Sequence, residues 1–199
     1  MEDRQVIDRP DMLDKFEIIA CLNLGGDYRK IILTCPDIPE FIPSGACAVI
    51  NGRWLAVAGY GRNRLHFVVK LGSWIFREKI TAIEVPVGKG FSTSQLELPY
   101  CVAAGTGIGA LSLFLERQHS QVKSFVLHRG LDEHAVIKEF PVFQGSKFWN
   151  TTKYGRPEQK QILQYAKSVS DVFVAGPKSL VEAIRETSTE LNFKLHTNF

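Results

Sequence analysis

Two glycine-bearing turns carry the chemistry this sequence offers most clearly. The first is Tyr100-Cys101-Val102-Ala103-Ala104-Gly105-Thr106-Gly107-Ile108-Gly109-Ala110, where β-type residues enter a Gly-Thr-Gly turn and the apolar stretch 111–115 leaves it with helical spacing. A turn of this kind places backbone N–H groups at a helix N-terminus, where the helix dipole favours an anion such as phosphate. The second is Val172-Phe173-Val174-Ala175-Gly176-Pro177, again an apolar strand, a tight turn and a helical segment. Two strand ends that open into small-residue turns predict one nucleotide cleft, with Gly105, Thr106, Gly107, Ala175, Gly176 and Pro177 around it.

Other site chemistries fare less well. Residues 105–110 fit G-x-G-x-x-A, but no acidic residue stands about twenty positions on, as the standard dinucleotide fingerprint requires. His128 and Arg129 occupy that neighbourhood. Arg129 reads equally as a ligand for a nucleotide phosphate or as a solvated strand-end arginine. Gly88-Lys89-Gly90-Phe91 lacks the G-K-[ST] ending and the following helix of a P-loop, which excludes an ATPase of that type. The histidines 66, 119, 128, 134 and 196 show no metal-ligand spacing, and no nucleophile elbow or Ser-His-Asp pattern is present. No metal site is expected, and no catalytic side chain is assigned.

The elements that must position these turns fall into two halves. Up to about residue 91 the chain reads as short strands at 16–22, 28–35, 46–50, 54–58, 65–70 and 80–85 with turn signals between them, the pattern of an antiparallel barrel or sandwich. After Pro99 helical periods alternate with apolar strands, which implies a parallel α/β sheet. Strands are expected at 124–128, 172–175 and 193–196. Helices are expected at 132–140, opened by an acidic N-cap, at 157–167 with Pro157 in the first turn, and at 178–191. Residues 143–156, with Phe148, Trp149 and Tyr154, read as an aromatic-rich loop. The predicted architecture is an N-terminal antiparallel Greek-key β-barrel, residues 12–95, followed by a C-terminal parallel α/β nucleotide-binding domain, residues 96–199.

Composition sets outer bounds. With 199 residues, 45% hydrophobic content and a net charge of +3, the chain has ample material for a core. Its basic residues are scattered rather than gathered in a stripe, so no nucleic-acid partner is expected. Cys21, Cys35, Cys47 and Cys101 lie in or beside apolar runs without C-x-x-C spacing, and read as buried free thiols in a reducing compartment. The first residues lack the apolar core of a secretory signal, and residues 100–115 are too short and too glycine-rich for a membrane span. A cytoplasmic location is the expectation.

A barrel followed by a small α/β domain, with these two turns, resembles the ferredoxin–NADP reductase superfamily over nearly the whole chain. The Gly88-Lys89-Gly90-Phe91 step looks most like the electron-transfer subunit of dihydroorotate dehydrogenase within it. Residues 103–108 are similar to the family's G-G-T-G-I turn, and Ala175-Gly176-Pro177 to its C-G-P turn. The resemblance implies FAD between barrel and α/β domain, NAD or NADP over the two turns, and electrons passed to a partner acceptor. It places the flavin phosphates near Arg53 and near Lys70, Gly72 and Ser73, and the terminal Phe199 by the flavin ring. The family's R-x-Y-S step aligns with Arg53-Trp54-Leu55-Ala56, so the arginine stays while the aromatic and hydroxyl become Leu55 and Ala56. Ala175 stands where C-G-P has its thiol. No cysteine-rich extension follows, so no iron–sulfur cluster is expected. Two functions remain open: a flavin-dependent NAD(P)H oxidoreductase, or a reductase-like fold without redox activity serving binding or assembly.

Overall fold

The computed structural model describes residues 6–7, 16–91, 99–118, 122–164, 166 and 169–198. Its first half holds eight antiparallel strands: β1 (Val6–Ile7), β2 (Ile18–Asn23), β3 (Tyr28–Thr34), β4 (Cys47–Ile50), β5 (Arg53–Ala56), β6 (Gly59–Gly61), β7 (Arg64–Lys70) and β8 (Ile83–Val87). They form two sheets, ordered β1-β8-β4-β5 and β2-β3-β7-β6. The chain changes sheets just after β5. There the Val57 N–H donates to the Ala46 carbonyl at 3.0 Å and the Ala58 N–H to the His66 carbonyl at 2.8 Å. Alternating inward residues fill the barrel, among them Ile31, Leu33, Ile50, Leu65, Phe67 and Val85, all buried.

The second half is a five-stranded parallel sheet of β9 (Pro99–Ala104), β10 (Lys123–His128), β11 (Lys147–Asn150), β12 (Asp171–Ala175) and β13 (Lys194–Thr197), ordered β11-β10-β9-β12-β13. Its helices are α1 (Gly107–Glu116), α2 (Glu133–Glu139), α3 (Thr151–Tyr154), α4 (Gln159–Ile162) and α5 (Lys178–Leu191). Strand order therefore reverses at β9, with β10 on one side and β12 on the other. In such sheets the crevice at the carboxyl ends of the strands beside the reversal is where ligands bind.

Helix α1 joins the halves. Residues 108–115 are buried all round, as expected of a helix with no polar face. Leu113 enters the barrel core, while Phe114 stacks on Phe173 of the parallel sheet at 4.3 Å. Gly109 sits against Ala58 and Val68, and the Ser112 hydroxyl donates to the Ala58 carbonyl at 2.6 Å. At the helix end the Arg117 guanidinium donates to the Tyr60 hydroxyl at 2.9 Å and lies over the Phe41 ring. A second tie joins Lys30 of β3 to Glu139 of α2 at 3.1 Å, with the ammonium over Phe140. Burial pushes the pKa of Glu116 up, opposed by Lys30 and Arg117.

Several expectations change. Residues 147–150 are a strand rather than part of a loop. β11 pairs with β10 only, so its outer edge is open, and four residues are too few to show alternation. The helix expected over 157–167 shrinks to α4, because Glu158 is the N-cap with extended backbone and Pro157 precedes it. Gly-Tyr-Gly of β6 escaped notice because two of its three residues carry no side chain to alternate. Cys21 is exposed on an edge strand, whereas the other three thiols are buried. α5 spans the expected residues, closed by Asn192 in a left-handed conformation at φ 55°. Asp132 caps α2 by accepting from the Ala135 N–H at 3.1 Å.

Candidate nucleotide cleft

The carboxyl ends of β9 and β12 open into a cleft of about 910 Å³ between the parallel sheet and the barrel. Gly105-Thr106-Gly107 follows β9 and leads into α1; Ala175-Gly176-Pro177 follows β12 and leads into α5. Both turns line the cleft, so two helix N-termini converge there. Thr106 precedes α1 without a side-chain cap; the Ile108 and Gly109 N–H groups turn back to the Gly105 and Thr106 carbonyls, while those of Thr106 and Gly107 have no acceptor among the described residues. Side chains larger than hydrogen do not fit. A Cβ on Gly107 would overlap the Ala175 carbonyl, and Gly105 holds φ 57° with the Tyr28 hydroxyl 3.1 Å from where its Cβ would lie. The two turns are thus in direct contact.

The barrel supplies the facing wall through Tyr28, Cys47, Trp54, Leu55, Ala56, Val68 and Lys70. Trp54 is 61% exposed, a large aromatic surface open to the cleft. Tyr28 and Lys70 face one another in the β3–β7 register, and the Lys70 ammonium lies 5.6 Å from the Tyr28 ring centre. Burial pushes the Tyr28 phenol up, and a hydrogen bond and the charge of Arg129 oppose that shift.

The lining is electrically one-sided. Lys70, Arg129 and Arg156 contribute positive charge, and no carboxylate is among the lining residues. None of the three cations is in an ion pair among the described residues. His128 adds no charge at neutral pH. Burial lowers its pKa, and its Nδ1 accepts from the Leu131 N–H at 3.0 Å, which places the ring proton on Nε2. Its work is to shape the turn that presents Arg129. One further polar group is incomplete: the Asn198 Oδ1 is buried at the cleft wall without a partner among the described residues. An amide oxygen left so costs about 1–3 kcal/mol, which a ligand N–H would recover. The unmatched cations, the bare turns and this orphan acceptor all fit a bound nucleotide and flavin.

The structure gathers most of the residues singled out from sequence. Trp54, Leu55, Ala56, Lys70 and all six turn residues line the cleft. Arg53 does not. Its guanidinium donates to Glu78 Oε1 at 2.7 Å and lies 4.8 Å from the Trp74 ring centre. Gly72 and Ser73 are also outside the lining, in a turn closed by the Ser73 N–H donating to the Lys70 carbonyl. Phe199 falls outside the described residues. Sequence reasoning missed Tyr28, Cys47, Val68, Arg156 and Asn198; of these, only Tyr28 and Val68 had a readable signal, their place in two strands whose register puts them on the α1 side of the barrel.

Barrel, reversed parallel sheet and interposed cleft together make a two-domain fold like that of ferredoxin–NADP reductases. Among solved structures, the chain is similar to the flavohaem-like FAD/NAD-binding domain of nitric oxide dioxygenase from Vibrio cholerae, with TM-score 0.71 and 13% identity over 92% of this chain and 96% of that one. It is similar to phthalate dioxygenase reductase, which transfers electrons from pyridine nucleotides to a [2Fe-2S] centre, with TM-score 0.64 and 18% identity over 92% and 67%. A cytochrome P450 reductase from Amycolatopsis gives TM-score 0.67 and 15% identity over 92% and 68%. The sequence matches no protein-family profile and no curated protein. Identities this low establish the fold. Among the described residues no helix is long and apolar enough to cross a membrane.

Proposed function

We propose that this chain is an oxidoreductase module that takes reducing equivalents from NAD(P)H through FAD to a partner acceptor. The observation that carries the reading is the meeting of two helix N-termini lacking side-chain caps with three cations that form no ion pair, in a cleft with no carboxylate among its described lining residues. Such a cleft favours a polyanion, and its barrel wall offers apolar and aromatic surface for a flat ring. Thr106 and Gly107 hold the nucleotide pyrophosphate by backbone N–H groups, and Gly105, whose own N–H donates to the Leu127 carbonyl, shapes the turn. Trp54, Leu55, Ala56 and Val68 pack against the flavin, and Lys70 meets its phosphate. Asn198 accepts an N–H from one of the two rings. FAD, when bound, supplies hydride acceptance and onward one-electron transfer, while the protein supplies binding, orientation and exclusion of water. No general acid or base is needed from the chain. The acceptor is taken to be a protein, as for the reductases that share the fold.

A second reading has its own observation. Arg53 is bound to Glu78, and Ala56 and Ala175 bring neither hydroxyl nor thiol to the cleft. These features suit a reductase-like protein that keeps the cleft for binding or assembly. One experiment separates the two. The purified chain is incubated with excess FAD, passed through a desalting column, and mixed anaerobically with NADPH or NADH. Retained flavin colour that bleaches on nucleotide addition supports the oxidoreductase. Protein that emerges colourless refutes it.

A further inference from the structure

The barrel side of the cleft offers one cation. Its described lining there includes Trp54, Ala56 and Val68 as ring surface, and Lys70 is the only charged residue in it. Lys70 ends β7 and forms no ion pair among the described residues; its ammonium rests 5.6 Å from the Tyr28 ring centre. A flavin ring on that surface therefore finds a partner for one phosphate. A flavin dinucleotide brings a second phosphate and an adenosine as well.

The neighbouring groups that would have to hold an adenylate are already engaged. Arg53 gives its guanidinium to Glu78 at 2.7 Å and lies 4.8 Å from the Trp74 ring centre. In the turn after β7 the Leu71 N–H donates to the Asp27 carbonyl at 2.7 Å and the Ser73 N–H to the Lys70 carbonyl at 2.9 Å. The Arg77 guanidinium donates to the Gly72 carbonyl at 3.2 Å. Lys89 is exposed and lies outside the lining. Space points the same way, because the cleft of about 910 Å³ also has to admit a pyridine nucleotide over the two glycine turns. One drug-sized ligand occupies ~300–1,000 Å³, so this volume suits a single dinucleotide beside a flavin head rather than two dinucleotides.

We propose that the flavin site recognises the ring and one phosphate and leaves an adenylate without protein contact, so that FMN binds at least as tightly as FAD. The inference rests on the flavin reading above and names the part of the cofactor which that reading uses. Lys70 makes a charge-assisted contact with the phosphate, the stronger kind of hydrogen bond. A terminal phosphate monoester carries about −1.5 to −2 charge at neutral pH. The same phosphate in FAD is a diester and carries less. Whatever Lys70 contributes to FAD it therefore contributes to FMN in full.

The test is equilibrium dialysis of the full chain against riboflavin, FMN and FAD, each read by its visible absorbance. FMN is expected at an affinity equal to or above that of FAD. Riboflavin, which lacks the phosphate, should bind ~10–150-fold more weakly than FMN. Lys70 is exposed, so its replacement leaves the fold intact. Lys70→Met should bring FMN and FAD down to the riboflavin level while riboflavin itself stays within about twofold. Arg53→Ala and Lys89→Met should leave all three affinities unchanged. FAD bound ~10-fold or more tightly than FMN overturns the proposal and leaves the flavin reading standing. Selective loss of FAD affinity in Arg53→Ala or Lys89→Met overturns it by locating an adenylate contact. Riboflavin bound as tightly as FMN, or Lys70→Met weakening all three alike, overturns it by removing the phosphate contact. Binding of no flavin overturns both this proposal and the flavin reading beneath it.

Discussion

Gly107→Ala tests whether the contact between the two turns is as tight as the geometry requires. Gly107 opens α1 at the exact place where the Ala175 carbonyl of the other turn comes closest. The obstacle is backbone, so no flexible side-chain end can swing aside. Alanine alone would favour folding by about 0.4–1 kcal/mol through the unfolded chain. Forcing a methyl group into a filled space costs about 1–3 kcal/mol, occasionally more. The net expectation is a loss of about 1–2 kcal/mol, or a melting temperature lower by roughly 2–8 °C for a chain of this size. The cleft should suffer more than the fold, since the turns must part at the point where phosphate binds. Losing one N–H contact to a charged phosphate predicts ~10–150-fold weaker binding of 5′-ADP. The assays are thermal unfolding by circular dichroism and calorimetric titration. Gly61→Ala is the control, because a methyl group there meets nothing within 4 Å. The reasoning fails if Gly107→Ala melts and binds like the wild type, or if Gly61→Ala is equally damaging.

Further expectations follow from the ties between the halves. Lys30→Met leaves Glu139 without its cation at a site where the side chains are 11% and 21% exposed, and should destabilise by about 2 kcal/mol in urea unfolding. Lys30→Met together with Glu139→Leu should recover most of that loss. His66 is held down from 6.5 to about 4, by burial first and then by Lys30 and Arg64. A histidine with a depressed folded pKa favours the native state above the unfolded value and opposes it as pH falls from 6.5 toward 4. His66→Gln should therefore flatten the stability profile in that window and leave it unchanged above pH 7. Arg53→Ala breaks an exposed pair with Glu78 and should cost less than about 1 kcal/mol. Because neither residue lines the cleft, Glu78→Ala and Arg53→Ala should both leave FAD uptake unaltered.

The parts of this fold that sequence made legible are those with local causes. α5 announces its start through Pro177 and its buried face through a periodic apolar stripe of Leu180, Val181 and Ile184. α2 is marked by Asp132, and both glycine turns by the strands that enter them. The parts that were not legible depend on tertiary placement. β11 is too short to alternate, and only β10 beside it makes it a strand. Arg53 has the residue type expected of a phosphate ligand, but its guanidinium is held by Glu78 beside the Trp74 ring. Lys70, Arg129 and Arg156 look like scattered surface charges until register and strand order bring them to one cleft. Burial explains the single miss among the cysteines: Cys21 lies in an apolar run, but on an edge strand whose outward face is bare.

The central claim is that two turns about seventy residues apart form one nucleotide site at the reversal of strand order. Peptide-resolved hydrogen–deuterium exchange with and without saturating 5′-ADP tests it most directly. Slower exchange in both segments, 105–109 and 175–180, with little change in the barrel sheets, is the predicted result. Protection confined to one segment, or found only away from both, would contradict the account.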